Sequence, residues 1–136
     1  MNADCMLDAN ILVYAVDRNP ENRQKQEVAM GLIRDCNFGL STQVMQEFYV
    51  TVTRKLKIRL SPDRALAYLD RFQAFPVIPT DYGLVIDGIR TSLRYQVSYW
   101  DATILAAAGR LGAKIVYSED LNSGQQYGSV KVVNPF

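Results

Sequence analysis

Four carboxylates, Asp8, Glu47, Asp101 and Asp120, are spaced so that one catalytic edge could gather them. Asp8 ends the short apolar run Cys5-Met6-Leu7. It is followed by Ala9-Asn10-Ile11-Leu12-Val13-Tyr14-Ala15, the pattern of a strand that turns into a helix. Its side chain is therefore expected at the carboxyl end of a buried strand, where open parallel α/β sheets place their ligands. Glu47 lies about one turn into a helix, beside the apolar positions Val44 and Phe48. Asp101 opens the helix whose inward residues are Ile104, Leu105, Ala108 and Leu111, one turn nearer the sheet edge. Asp120 comes two residues after a strand, in Ser118-Glu119-Asp120-Leu121-Asn122. Each acid alone also has an ordinary explanation. Asp8 suits a helix N-cap, Asp101 a capping box with Ser98, Asp120 a turn, and Glu47 a partly exposed helix position. Scattered structural acids would populate both ends of a sheet, however, and all four are expected at one end.

Clustered carboxylates raise one another's pKa, and a divalent cation is the readiest way to keep them ionised. The chain has no histidine and only two cysteines. That excludes Ser-His-Asp and Cys-His catalysis, HExxH zinc sites and the usual structural zinc sites. With oxygen donors alone the expected ion is Mg²⁺ or Mn²⁺. The chemistry this suits is phosphodiester hydrolysis, with a metal-activated water attacking in line and the leaving oxygen stabilised.

The elements that must hold these acids alternate between strand and helix. After the first strand a short helix spans Asn10 to Val16, and Arg18 to Asn22 is a turn. A helix runs to about Asp35 with Val28, Ala29, Leu32, Ile33 and Cys36 as its stripe. Phe38 to Ser41 is a strand, followed by a helix from Thr42 to about Lys57. Ser61-Pro62-Asp63 starts a helix that carries Ala65, Leu66, Leu69 and Phe72 inward. Phe75 to Ile78 is an edge strand, where proline is tolerated. A helix from Asp81 to Tyr95 turns Val85, Ile86, Ile89 and Leu93 to the core. The next spans Tyr99 to Leu111 and stops at Gly112, with Trp100 expected in the core rather than as a platform for a stacked base. Lys114 to Ser118 and Val130 to Val133 are strands around a polar loop. This order implies an α/β fold with right-handed crossovers and a parallel sheet covered on both faces.

At 136 residues, nearly half hydrophobic and a fifth charged, the chain fits one domain over 1–136 with a substantial core. A net charge of +1 makes any nucleic-acid surface local. The start lacks a basic leader and no apolar run is long enough to span a membrane, so a cytoplasmic protein is expected. Cys5 and Cys36 read as two reduced, buried thiols. Arg54, Lys55, Lys57 and Arg59 gather at the end of the helix bearing Glu47. They suit either the negative end of a helix dipole or a rail for RNA phosphates. Arg90 and Arg94, one turn apart, are a second such pair.

Across nearly the whole chain these residues resemble the PIN-domain nucleases, in particular the VapC-type toxins of bacterial toxin–antitoxin pairs. The resemblance is carried by four segments in order. They are Leu7-Asp8-Ala9-Asn10-Ile11, Glu47-Phe48, Trp100-Asp101-Ala102-Thr103 and Ser118-Glu119-Asp120, with Gly124 to Phe136 also typical of one branch. It implies a PIN-like three-layer α/β/α fold, with a central parallel sheet of four or five strands and the first strand in the middle. It also implies Asp8, Glu47, Asp101 and Asp120 as catalytic acids and metal ligands, with Asn10 and Ser118 supporting them. The activity implied is Mg²⁺- or Mn²⁺-dependent RNA cleavage by a homodimer that a small antitoxin inhibits near the active groove. Many members carry a second aspartate two residues beyond the last acid, then phenylalanine. Asn122 and Ser123 stand there, which argues against a strong second metal site. A catalytically silent PIN-like domain binding RNA or protein is the alternative. An aspartate-nucleophile phosphatase would want a second aspartate where Asn10 stands.

Overall fold

In the computed structural model, which describes residues 2–136, β1 (Cys5–Leu7) is the buried centre of the sheet. It pairs in parallel with β2 (Phe38–Ser41) on one side and β4 (Ile115–Tyr117) on the other. β3 (Val77–Ile78) extends the β2 side, and β6 (Val130–Val133) the β4 side, both in parallel. A two-residue strand, β5 (Gln126–Tyr127), closes that edge in antiparallel fashion and completes the order β3-β2-β1-β4-β6-β5. The sheet thus has one strand more than the four or five expected. The extra strand is too short to show a period-two pattern. It exists because Gly128, at φ +61°, turns the chain straight back into β6.

Among the described residues six α-helices accompany the sheet: α1 (Ala9–Val16), α2 (Arg23–Asp35), α3 (Thr42–Val50), α4 (Pro62–Phe72), α5 (Tyr82–Tyr95) and α6 (Tyr99–Leu111). Their starts follow the local chemistry. The side chains of Ser41, Ser61, Asp81 and Ser98 accept hydrogen bonds from the backbone N–H groups of Val44, Arg64, Leu84 and Asp101. α6 ends on Gly112 at φ +70°, the left-handed position that glycine adopts without strain. Met6, Leu7, Ile11, Leu12, Phe38, Leu40, Phe48 and Leu111 are wholly buried. α6 lies so close to β2 that a Cβ on Gly39 would come within 2.7 Å of the Leu111 methyls.

Several expected faces are corrected. α4 buries Ala65 and Phe72 as expected and half-buries Leu69, but it turns Leu66 outward, 54% exposed. α5 buries Leu84 and Gly88, leaving Ile89 and Leu93 exposed and Val85 and Ile86 half-buried. Gly88 sits against Thr103 of α6, so the helices meet through the small residue and the larger apolar stripe faces out. Val28 is exposed on α2, and Cys36 is half-buried while Cys5 is buried, both thiols free. The helix after β2 does not run as an α-helix to Lys57. It passes at Thr51–Lys55 into a π-turn, a wider winding often found near functional sites. Trp100 is not in the core but 66% exposed. No helix among the described residues is long and apolar enough to cross a membrane.

Gln96 closes α5 at φ +56°, a left-handed conformation that costs a side-chain-bearing residue energy. Gln96→Gly is expected to stabilise the fold by about 0.5 kcal/mol, after allowing for the lost bond from its amide to the Leu93 carbonyl. Urea unfolding of the two proteins checks this.

Candidate active site

The carboxyl ends of β1 and β4 lie side by side, and the residues just beyond them interlock. Asp8 caps α1, its Oδ1 accepting from the Ala9 N–H at 2.8 Å, while its Oδ2 accepts from the Ser118 hydroxyl at 2.7 Å. Ser118 is completely buried, and its Oγ also accepts from the backbone N–H groups of Asp120 (3.1 Å) and Leu121 (3.3 Å). Asn10 bridges the same two segments. Its Nδ2 donates to Asp120 Oδ2 at 3.2 Å, and its Oδ1 accepts from the Glu119 N–H at 3.1 Å. The N-cap explanation of Asp8 and its place in a polar site are therefore both correct, because one carboxylate serves both.

Glu47 and Asp101 approach from α3 and α6 across a cleft of about 470 Å³. Asp8, Asn10, Glu47, Asp101 and Asp120 all line it, so the fold brings the four acids to one place. Ser118 lies beneath its floor. Of the basic run, Lys55 alone lines the cleft, carried in by the π-turn, whereas Arg54, Lys57 and Arg59 are exposed elsewhere. Arg90 and Arg94 line a different cleft together with Arg110. Asn122 and Ser123 stand outside the acid cleft, and the Ser123 hydroxyl accepts from the Asn134 N–H.

Burial raises the pKa of Asp8 from 3.8 to about 6. The charges of Glu47 and Asp120 push the same way, against the lowering hydrogen bonds from Ser118 and Ala9. Asp101 meets its capping role only halfway. Ser98 Oγ accepts from the Asp101 N–H at 3.1 Å, but among the described residues the Asp101 carboxylate accepts no hydrogen bond in return. It faces the cleft uncommitted.

Several contributors carry no signal strong enough to single them out beforehand. Gln43, one helical turn before Glu47, donates to Glu47 Oε1 (3.0 Å) and to the Trp100 carbonyl (3.1 Å), and accepts from the Thr103 hydroxyl. It locks α3 to the first turn of α6 and so sets Glu47 relative to Asp101. The i, i+4 spacing could have exposed half of this contact. Glu119 is held by Lys25 and by the Tyr14 hydroxyl (2.6 Å). Burial works to raise its pKa, but those two partners outweigh it and keep the carboxyl below its ordinary range. Lys25 also lies over the rings of Tyr14 and Phe136, so the end of the chain braces this wall of the cleft. Gln43→Ala and Thr103→Val should each cost about 1 kcal/mol. Their double-mutant cycle should show a coupling of about 0.5 kcal/mol or more, measured by urea unfolding.

Among the described residues no three acidic, cysteine or histidine side chains converge tightly enough to hold an ion by themselves. The donor set still fits a hard cation. Mg²⁺ keeps several waters and takes only one or two protein carboxylates, and every candidate donor here is an oxygen. A buried carboxylate flanked by two others, with Lys55 as the cation on the wall, also leaves negative charge that such an ion would balance.

The family model for the PIN domain matches residues 5–125, from β1 to the start of the last hairpin. The chain belongs to the PIN-domain family. Its fold is that of solved PIN-domain toxins. It superposes on VapC20 of Mycobacterium tuberculosis, described as a sarcin-ricin loop cleaving toxin, with a TM-score of 0.69 at 16% identity. That match covers 85% of this chain and 89% of the other. A toxin–antitoxin complex from Klebsiella pneumoniae gives a TM-score of 0.70 at 15% identity, covering 97% and 98%. VapBC2 of Rickettsia felis, bound to a DNA fragment from its promoter, gives 0.60 at 19% identity, covering 94% and 96%. No curated protein matches the sequence significantly. The PIN fold accounts for the central β1 and the mostly parallel sheet.

Proposed function

We propose that this PIN domain is a divalent-metal-dependent endoribonuclease and the toxin of a type II toxin–antitoxin pair. The observation that carries the reading is the gathering of Asp8, Glu47, Asp101 and Asp120 in one cleft, from four elements far apart in sequence. Asp8 and Asp101 would hold Mg²⁺ or Mn²⁺ first, with Glu47 and Asp120 shaping the site. The ion would supply a nucleophile from water at neutral pH and stabilise charge on the leaving oxygen.

The chain's own residues do the rest. Ser118 and Asn10 fix Asp8 and Asp120 in register. Gln43 occupies Glu47 Oε1, leaving the other oxygen to orient a water. Lys55, on the cleft wall, offers charge to a substrate phosphate, while the exposed Arg54, Lys57 and Arg59 extend the basic track for the strand outside.

A partner antitoxin has a fitting seat. Ala15, Val16, Met30, Ile33 and Phe72 line an apolar groove between α1, α2 and α4, rimmed by Arg34 and Arg71. Such a groove takes the apolar face of a short amphipathic helix carrying acidic flanks. The exposed Tyr82, Ile89 and Leu93 on α5 suit a homodimer contact. The whole 1–136 chain then acts as one domain in the cytoplasm.

Expression of the chain alone is expected to arrest growth. Asp8→Asn or Asp101→Asn should relieve the arrest at an unchanged level of soluble protein. Arrest that persists in both variants would dissociate the toxicity from the acid cleft.

A further inference from the structure

We infer that Trp100 is a stacking platform for a nucleobase next to the scissile phosphate, one base of the RNA being laid on the indole. The inference rests on the ribonuclease reading above and adds a residue that positions the substrate.

Trp100 lies in the first turn of α6 beside Asp101 and lines the acid cleft. Its side chain is 66% exposed on a helix that otherwise buries seven residues, Ala102, Thr103, Ile104, Leu105, Ala107, Ala108 and Leu111. Sequestering so large an apolar ring is the usual outcome, so an indole left in water on a polar cleft wall calls for a partner. Its backbone is fixed, because the Trp100 carbonyl accepts from Gln43 Nε2 at 3.1 Å and from the Thr103 hydroxyl at 2.8 Å. The ring itself has a support. Tyr99 meets it edge to face at 5.1 Å and 72°, and Tyr99 is in turn backed by α5, where a Cβ on Gly88 would come within 3.2 Å of its ring. With the residue 66% exposed, Tyr99 leaves much of the indole accessible.

The walls bear on the choice of ligand. Six carboxylates and one lysine, Lys55, line the cleft, which suits a base attached to a phosphate, rather than an apolar protein side chain, once a divalent ion offsets the negative charge. Every nucleobase has a π-face, so stacking tolerates sequence, but a paired and stacked base has no free face to offer. Purines, with the larger face, should be preferred at that one position.

Trp100 is the only tryptophan in the chain, so its fluorescence reports the contact directly. The experiment uses the wild-type protein with Ca²⁺ in place of Mg²⁺ or Mn²⁺, so that the acid cleft stays intact while turnover is suppressed. It titrates a single-stranded oligoribonucleotide, its duplex, and copies carrying one abasic site at successive positions. Saturable quenching by the single strand is expected. It should be absent with the duplex and lost when the abasic site reaches one particular position. In the active protein Trp100→Ala should raise KM about 5- to 150-fold with a smaller change in kcat, and Trp100→Phe should recover most of the loss. Wild-type cleavage with KM unchanged in Trp100→Ala, and no quenching, overturns the platform and leaves the nuclease standing. A shift in oligomeric mass on Trp100→Ala without a change in KM assigns the indole to a protein interface and also overturns it. A wild type that cleaves no RNA in Mn²⁺ overturns both readings. The quenching arm needs no change at position 100 and so decides the matter even if a variant there folds poorly.

Discussion

Asp8→Asn should abolish RNA cleavage, by about 100-fold or more, and at the same time make the metal-free protein more stable at neutral pH. The loss of activity follows from removing a buried carboxylate that Glu47 and Asp120 flank in the acid cleft. The gain follows from its titration. The folded-state pKa of Asp8, about 6, lies above the ordinary 3.8, so the fold favours the protonated form. Its stabilising contribution is complete below about pH 4 and is lost as pH rises through 6, a difference of about 3 kcal/mol. Asparagine carries no charge to desolvate but satisfies Ala9 and Ser118 less well than two carboxylate oxygens do. The net gain above about pH 6 is therefore about 1–3 kcal/mol. Urea unfolding of both proteins in EDTA across that range measures it. A stability difference that does not change with pH would show that Asp8 is not held in this strained ionisation.

Asp101 gives the second large effect. Asp101→Ala keeps the backbone N–H that Ser98 caps and loses no carboxylate hydrogen bond. In EDTA the variant should therefore unfold within about 1 kcal/mol of the wild type, the helix-dipole loss being offset by relief of like charge. Mn²⁺ at a hundredfold excess over Kd should stabilise the wild type by about 2.7 kcal/mol, and the variant should lose most of that gain. An equal shift in both proteins would return Asp101 to a purely structural role.

How much of this was legible in the sequence follows the range of the interactions. β1, β2, α6 and the caps at Ser61, Ser98 and Gly112 rest on local chemistry and apolar periodicity, and they lie where those signals place them. The gathering of the four acids was legible because a parallel sheet sends all its strands toward one edge. The outward faces of Leu66, Ile89 and Leu93 were not, since Gly88 rather than a large side chain makes the α5–α6 contact. Nor could periodicity reveal the π-turn that brings Lys55 into the cleft and leaves Arg54 outside. Trp100 misled for a related reason. Its hydrophobicity argues for the core, while its place in the first turn of α6 puts it on the rim. Gln43 and Glu119 act through partners up to 105 residues distant, which a single sequence does not pair.

The most direct test of the central claim is the chemistry of the cut ends. Purified protein is incubated with RNA in Mg²⁺ or Mn²⁺, and in EDTA, and the new termini are analysed. Metal-dependent cleavage leaving a 5′-phosphate and a 3′-hydroxyl is the expected result: attack by water without the neighbouring 2′-hydroxyl forms no cyclic product, and the resemblance to PIN nucleases implies which end keeps the phosphate. Cleavage that persists in EDTA and leaves a 2′,3′-cyclic phosphate would contradict the account.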